Sequence, residues 1–481
     1  MLSKIKQGGL GSPLMKRRVS TMLLVLQASV VALVLLLAAY VVAHGQVAQS
    51  AAGQGAAKPE GAKVEAAKSD ASSPAFDRAR FERLRAEGSE ALMNLDYETA
   101  TARFKEMATA FPDHPGGTQY LAAALWLKTL NNSRRLQSGL YNSDSFYEGE
   151  EDKDDPKTVG EFRELTRKAK QLAEARLLKN PNDVEALYFL GATQGLKAAY
   201  EGAVERRFMG ALRDGNDSVD LHQKVLKLDP NYHDAELTVG MYQYILGDLP
   251  WLIRQMAKVG GFSGSKKKGI ATLERVTREG NWARDDARVM LIPLYKRERR
   301  YADAAAVTRE LSAKYPRNYI FKLEAADALV SQAATLRATN PAEAAKIEQE
   351  AFATFESLLG ERSGRGAVAR QIDQIHFQYA EALYTAGQME RAAREFVAAA
   401  ATPNAEAALA TMAHLRAAQS LDLAGKRADA VAQYKAVLAR PDVYKAHEAA
   451  QQGLKEPYRK RESAAKGEDG AAAGAKATNE N

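Results

Sequence analysis

Apolar residues recur every three or four positions over most of residues 76–461, which is the period of an amphipathic α-helix. Residues 46–75 and 462–481 lack this period and are rich in small and charged residues. Such segments bury too little apolar surface to offset their ordering entropy. The pattern therefore predicts an all-α domain over 76–461, a flexible linker before it and a disordered tail behind it.

The helical pattern repeats with small, aromatic and proline residues at fixed offsets. Counted from Phe81, positions 8, 17, 20, 24 and 32 hold Gly88, Tyr97, Ala100, Phe104 and Pro112. Counted from Asp285, positions 11, 17, 20 and 32 hold Tyr295, Tyr301, Ala304 and Pro316, while Thr308 takes the aromatic position 24. Near the C-terminus, Gly387, Ala392 and Phe396 recur 38 residues later as Gly425, Ala430 and Tyr434.

A helix pair of about 34 residues with small residues where the helices touch is the tetratricopeptide unit. Gly191 and Gly240 fit the small position 8 in the less regular middle, where the helices that follow look elongated. The fold class predicted is thus an all-α, tetratricopeptide-type α-solenoid of about six to eight helix pairs, capped by a segment starting at Val443. Stacked pairs form a concave surface, which we expect to bind another protein or peptide.

The N-terminus carries a membrane signal. The basic residues of 1–21 precede an uncharged apolar run from Met22 to Ala43, which is long enough to cross a bilayer core of about 30 Å as a helix. The positive-inside rule then places residues 1–21 in the cytoplasm and the repeats outside it, in a single-pass inner-membrane protein facing the periplasm. Because Ala43-His44-Gly45 also fits a cleavage site, secretion to the periplasm after signal cleavage stays open.

Composition excludes several classes of site. The chain has no cysteine, which rules out disulfides, thiolate-bound zinc, a cysteine nucleophile and a lipoprotein anchor. Residues 1–45 hold five basic residues and no acidic ones, and the rest has 62 Lys and Arg against 60 Asp and Glu. Bulk charge therefore disfavours nucleic acid as a partner.

Two segments of the middle resemble a known group. They are AAYEGAVERRFMGALRDG, residues 198–215, and VGMYQYILGDLPWLIRQMAKVGGFSGSKKKGIATLE, residues 239–274. They are similar to a family of bacterial tetratricopeptide proteins and, more distantly, to the eukaryotic inclusion-body-clearance (Iml-type) tetratricopeptide family. The resemblance covers about a third of the chain, mainly residues 183–316. It implies an α-solenoid with a non-enzymatic role and no catalytic residues.

Catalytic motifs are scarce in this sequence. It has no HExxH and no GxSxG pattern, so we expect no enzyme and no catalytic, metal or cofactor residues. His376 and His414 stand 38 residues apart at the same repeat position. We therefore interpret them as equivalent packing or surface positions rather than as a metal pair.

The strongest local feature is VGGFSGSKKKG at residues 259–269. Its glycines precede a helix predicted to begin near Lys266, and free N–H groups there, with Lys266, Lys267 and Lys268, suit an anion or a phosphate head group. A turn between stacked helices with a serine cap is the alternative.

Further candidate contacts flank this glycine–lysine loop. Trp251 belongs to the apolar run of residues 249–253, which Arg254 and Lys258 follow. The apolar side chains of this run either pack in the core or belong to an amphipathic element that presents Trp251 to a partner or membrane surface. Arg206 and Arg207 either line the groove or are simply exposed. Residues 143–156 form an acidic insertion, for which a solvated loop competes with a site for calcium or a basic peptide.

Three functions follow as hypotheses. The first is an envelope scaffold that binds another protein. The second is a carrier in which residues 183–280 enclose a lipid or an anionic small molecule, which a large apolar pocket near Trp251 would favour. The third is an enzyme of unrecognised type, which a cluster of strongly perturbed titratable residues in one cleft would favour.

Overall fold

The structure is a computed structural model, and it describes residues 76–132, 136, 155–203, 205, 207–249, 251, 254, 255, 258, 263–360, 371–403 and 405–459. These residues form 17 α-helices and a short 3-10 helix, and no strand is among them. The segments predicted at 1–21, 22–43, 46–75 and 462–481 lie outside them, as does the acidic insertion except for Asp155 and Pro156.

The chain divides into two compact units, the first ending at Thr335 and the second beginning at Leu336. The helices of the first unit are α1 Arg78–Met93, α2 Tyr97–Ala110, α3 Pro115–Asn132, α4 Pro156–Lys179, α5 Val184–Ala203, α6 Phe208–Leu228, a 3-10 helix His233–Ala235, α7 Glu236–Asp248, α8 Lys266–Glu279, α9 Arg284–Arg297, α10 Tyr301–Lys314 and α11 Tyr319–Leu336. The last of them, α11, ends where the two units divide. Those of the second unit are α12 Pro341–Gly360, α13 Ile372–Thr385, α14 Met389–Ala401, α15 Ala407–Leu423, α16 Arg427–Leu438 and α17 Ala446–Lys455.

Each helix packs against the next one along the chain, from α1 to α10 and from α12 to α17. This is the neighbour-on-neighbour packing of a helical-repeat protein, so the predicted all-α, helical-repeat fold is confirmed for the described residues. The last helix, α17, packs on α15 and α16 as the predicted cap. The expected elongation holds for α6, the helix after the one that contains Gly191, with 21 residues, whereas α8 has only 14.

The predicted small and aromatic positions are the points of contact between paired helices. Gly88 of α1 lies against the ring of Phe104 of α2, which leaves no room for a side chain at that glycine. Thr308, at the position where other repeats place an aromatic ring, is fully buried and donates its hydroxyl to the backbone oxygen of Ala304 at 2.8 Å. That internal hydrogen bond offsets the cost of burying a hydroxyl group.

His376 and His414 make equivalent contacts, as the 38-residue period predicts. His376 Nδ1 lies 2.7 Å from Glu395 Oε2, and His414 Nδ1 lies 2.8 Å from Gln433 Oε1, so each partner is 19 residues further on.

Four helix pairs share one turn. Leu95, Arg299, Gly387 and Gly425 have positive φ values of 61°, 58°, 80° and 75°. In each case the next residue donates its N–H to the carbonyl five residues before it, as Asp96 does to Ala91 and Arg300 to Tyr295. This is a Schellman ending, and it returns the chain into the second helix of the pair.

The first unit also closes on itself. Asn318 donates its side-chain amide to the backbone oxygen of Met93 at 2.7 Å, across 225 residues of chain. Met93 packs in one apolar cluster with residues of α9, α10 and α11 and the turn between the last two, namely Ile292, Leu311, Tyr315 and Phe321. The first helix pair of this unit is therefore sealed against its last helices.

A candidate binding pocket between α7 and α8

A pocket of about 490 Å³ opens where α7 ends and α8 begins. Its lining comprises Gly247, Trp251, Arg254, Gln255, Lys258, Gly264, Ser265, Lys266 and Lys267. Five of the eight candidate residues from the sequence meet there: Trp251, Arg254, Lys258, Lys266 and Lys267. The glycine–lysine loop and the Trp251 segment, argued separately from sequence, thus belong to one site.

The glycines of this region have a packing role. A Cβ on Gly269 would lie 2.6 Å from the backbone nitrogen of Tyr244, and one on Gly264 would lie 2.8 Å from the nitrogen of Gly247. Real Cβ atoms do not approach backbone atoms so closely. The glycines therefore let the backbones of α7 and α8 nearly touch, and this close approach forms the floor of the pocket.

The helix start falls where the sequence places it. α8 begins at Lys266, and the Ser265 hydroxyl caps it by accepting the N–H of Lys268 at 3.4 Å. The first turn of a helix leaves N–H groups without helical partners and carries a partial positive charge. The N–H groups of Lys266 and Lys267 therefore add to the positive potential at the pocket wall.

Lys266 is already compensated within the fold. Its Nζ lies 2.7 Å from Glu298 Oε1 and 3.3 Å from Asp248 Oδ1. Burial opposes the charge on the Lys266 ammonium, but the hydrogen bond to Glu298 and the charge of Asp248 outweigh it and raise the Lys266 pKa. Lys266 thus ties the ends of α7 and α9 to the start of α8.

The other cations around the pocket are not compensated in this way. Lys258, Lys267 and Lys268 are exposed, and within the described residues none of them, nor Arg254, has a carboxylate partner. Arg254 donates to the backbone oxygen of Gly247 at 3.1 Å, which uses one N–H of its guanidinium.

Trp251 stands beside these charges with 66% of its surface exposed. The expectation that it packs in the core is wrong, because the chain turns away from α7 after Leu249 and carries the indole outward. An exposed indole beside cations that have no carboxylate partner among the described residues suits contact with a partner.

Three candidates do not line the pocket. Arg207 is engaged by acidic neighbours, with Nη1 at 3.4 Å from Glu205 Oε2 and 3.7 Å from Glu201 Oε1. These pairs join Arg207 to the end of α5 and to the chain before α6, and its side chain stays exposed. Lys268 points to solvent beside the pocket, and Arg206 lies outside the described residues.

Sequence reasoning missed the two carboxylates that pair with Lys266 at the pocket, those of Asp248 and Glu298. Asp248 directly precedes the Leu-Pro step of the middle segment, and its Oδ2 also lies 2.7 Å from Arg297. Glu298 comes from the end of α9, 32 residues after Lys266. No local pattern marks Glu298, because its role exists only once α8 and α9 are packed.

A buried polar cluster also escaped the sequence reading. Arg85, Tyr120, Asp234 and Asp286 are each no more than 3% exposed, and the Arg85 guanidinium lies 5.7 Å from the ring centre of Trp282. Burial, together with the charge of neighbouring carboxylates, raises the pKa of Asp286 well above its ordinary value. Since solvent does not reach these groups, they belong to the core of the first unit.

Asp234 has an evident structural task in that core. Its Oδ1 accepts the backbone N–H groups of Asn281, Trp282 and Ala283 at 2.7, 2.8 and 2.9 Å. One carboxylate therefore satisfies the N–H groups that lead into α9.

No protein-family model matches the chain, and no curated protein matches it. Within the described residues, no helix is both long and apolar enough to cross a membrane. Solved structures with some likeness include a human IFIT1 dimer with m7Gppp-AAAA, at a TM-score of 0.37 and 12% identity over 77% of this chain and 80% of that chain. Yeast Tom70 has a TM-score of 0.29 and 13% identity over 76% of this chain and 86% of that chain. A tetratricopeptide repeat protein from Parabacteroides merdae has a TM-score of 0.27 and 13% identity over 70% of this chain and 99% of that chain.

Proposed function

We propose that this chain is a non-enzymatic tetratricopeptide-type scaffold that binds another protein, and that the pocket around Trp251 is a contact surface. The observation that carries the proposal is the exposed indole of Trp251 at a concave site, beside Lys258 and Lys267, which have no carboxylate partner among the described residues. Tryptophan and arginine at the centre of an interface commonly supply most of its binding energy. Burying the indole would remove a large apolar area from water.

The lining of the pocket favours this function over lipid carriage. Among the described residues that line it, four of nine are Arg or Lys, and Trp251 is the one large apolar side chain. A lipid carrier needs an enclosed apolar cavity for the acyl chains. The site therefore fits a polar, negatively charged surface element better than a hydrocarbon chain.

A photo-cross-linking residue in place of Trp251 in the full chain tests this proposal in intact cells. We expect one partner protein to be captured from position 251. The control carries the same residue at Leu178, which is 87% exposed on α4. If positions 251 and 178 capture the same proteins, the pocket has no special role and the proposal is wrong.

The purified partner then allows an optical test. Trp126 and Trp282 are buried and Trp251 is exposed, and these three are all the tryptophans of the chain. Partner binding should shift the tryptophan emission to shorter wavelength, because the indole of Trp251 leaves water. The variant Trp251→Phe should lose that shift. A shift of equal size in the variant would contradict the assignment.

We further propose that residues from Met22 to Ala43 anchor the chain in the inner membrane, with the repeats in the periplasm. The uncharged apolar run behind a basic segment supports this topology. External protease added to spheroplasts should digest the repeat domain, and carbonate extraction should leave the intact chain in the membrane. A shortened chain in the soluble fraction would instead support secretion after signal cleavage, and full protection from protease would contradict both.

We also propose a family relationship for the middle region of the chain. We infer a relation to bacterial tetratricopeptide proteins, and a distant one to the Iml-type family, from the order of glycines, Leu-Pro and lysines in residues 239–274. The near balance of charge outside residues 1–45 supports a partner other than nucleic acid.

A further inference from the structure

We propose that the pocket recognises an acidic segment of its partner, in which several Asp or Glu side chains surround one apolar side chain. This inference rests on the proposed protein-binding function and names the chemistry of the partner. The apolar side chain would lie on the indole of Trp251, and the carboxylates would lie on Arg254, Lys258 and Lys267.

The first support is the arrangement of charge on one helix face. Trp251, Arg254, Gln255 and Lys258 are helical residues that all line the pocket. Their spacing of three and four residues places them on one face of a helix. That face therefore presents an indole at one end and cations along the rest, and the start of α8 stands opposite with Lys267.

The second support is that, among the described residues, no carboxylate pairs with those cations. The carboxylates of Asp248 and Glu298 are engaged by Lys266, and Asp248 is also engaged by Arg297. Within the described residues, Arg254, Lys258 and Lys267 have no ion pair. Positive charge without an internal counter-charge attracts an acidic partner and steers its approach.

The geometry suits several carboxylates better than one phosphate. A phosphate site gathers donors around a single point, but here Ser265 has already taken the N–H of Lys268, and Arg254 donates to Gly247. The remaining cations are spread over two elements and have exposed side chains. Such a row of separate charges fits a chain segment that carries charges at intervals.

Lys266 is a positioning residue in this arrangement. Its ammonium is held by Glu298 and Asp248 inside the pocket wall, so it fixes the start of α8 without meeting the partner. This separates it from Lys267, its neighbour in sequence, which has an exposed side chain and no counter-charge within the described part of the chain.

The test uses the purified full-length chain and a synthetic labelled peptide with four glutamates around one leucine. A matched peptide has glutamine at the four positions, and vesicles of phosphatidylglycerol and phosphatidylcholine form a third probe. We expect the glutamate peptide to bind, the glutamine peptide to bind at least about tenfold more weakly, and added salt to weaken the first interaction.

Charge-reversal variants locate the site. The double variant Lys258→Glu, Lys267→Glu should weaken glutamate-peptide binding by at least about tenfold. The single variant Lys179→Glu, at an exposed lysine of α4, should leave it within about twofold, since a distant exposed charge is screened. Both variants should unfold at the wild-type temperature, because all three lysines are exposed.

Several results would overturn the inference. One is equal binding of the glutamate and glutamine peptides. Another is that Lys179→Glu weakens glutamate-peptide binding as much as the double variant does. A third is binding to the vesicles but to neither peptide, which would assign the pocket to a membrane surface. A partner cross-linked at position 251 through a segment without acidic residues would also overturn it, while leaving the proposed scaffold function intact.

Discussion

Arg299 has a left-handed backbone conformation. The three equivalent positions in other helix pairs have the same conformation, and two of them are glycine. The φ of Arg299 is 58°, and Leu95 has 61°, while Gly387 and Gly425 take the same place in the second unit. A left-handed residue with a Cβ costs about 1–2 kcal/mol. Glycine avoids that cost but loses about 0.5–1 kcal/mol more conformational entropy on folding.

The variant Arg299→Gly should therefore raise the free energy of unfolding by about 0.5–1 kcal/mol. Urea titration followed by circular dichroism measures the change. Arg299→Ala is the matched control, because it removes the exposed side chain and keeps the Cβ, so we expect almost no gain from it. Equal stabilisation by both variants would show that the Arg299 side chain, and not its backbone, carries the strain.

His222 gives the first unit a pH dependence. The ring is fully buried in α6 with Nε2 at 3.1 Å from the backbone oxygen of Tyr188, and burial lowers the pKa of His222 to about 4. The unfolded chain titrates near the ordinary value of about 6.5. Between these values the unfolded chain binds a proton that the folded one refuses, so stability is full above pH 6.5 and falls toward pH 4.

We expect the free energy of unfolding to fall as pH drops from 6.5 to 4, by at most about 1.4 kcal/mol for each unit by which the His222 pKa is lowered. Denaturant titrations at several pH values measure this slope. In His222→Gln the slope should be shallower, whatever the stability of the variant at pH 7, since other groups such as His114 still titrate. Identical slopes in the two proteins would contradict the assignment.

At the scale of elements, the contact of α7 with α8 decides the shape of the pocket. Gly269 of α8 lies so close to α7 that a Cβ would meet Tyr244 N at 2.6 Å and Gly240 O at 2.7 Å. Backbone atoms on both sides cannot swing away as a flexible side chain would. The helices would have to separate, and the pocket floor would move with them.

Gly269→Ala should cost about 1–3 kcal/mol of stability, the range for overpacking a tight contact. It should also change the emission of Trp251, because Trp251 lines the pocket between these two helices. Gly160→Ala in α4 is the matched control, because no atom lies within 4 Å of its added Cβ. There alanine should be neutral or stabilise the helix by up to about 1 kcal/mol. Destabilisation of the same size in both variants would refute the packing argument.

At the scale of the whole molecule, closure of the first unit depends on few polar contacts. Asn318 is buried and donates to the Met93 carbonyl, whereas the ion pair of Arg317 with Asp96, at 3.3 Å, involves a guanidinium that is 63% exposed. A buried carbonyl left without a donor costs about 1–3 kcal/mol. An exposed ion pair contributes about 0–1 kcal/mol.

Asn318→Ala should therefore loosen the seal between α1 and α11, and Arg317→Ala should hardly affect it. Hydrogen exchange read by mass spectrometry should show faster exchange over residues 78–93 in the first variant and wild-type protection in the second. Unchanged protection in Asn318→Ala would show that the apolar cluster around Met93 closes the unit alone.

Sequence reasoning predicted those parts of the site that depend on residues within a few positions of one another. The serine before three lysines predicts a capped helix start, and α8 begins at Lys266 with Ser265 as its cap. The pairing of Lys266 with Glu298 joins residues from different helix pairs. This pairing leaves no mark in either local sequence, so the structural role of Lys266 was not predicted.

By itself, the sequence determined the helices, their pairing and the positions where they touch. Helical period, small residues and turn chemistry act over a few residues, and they place Gly88 against Phe104 and give His376 and His414 the same contacts. The tertiary structure decided that Trp251 is exposed, which cations stay unpaired, and that Asn318 reaches Met93. Burial and charge compensation depend on what distant segments bring to a point in space, and a repeat pattern read along the chain does not specify that.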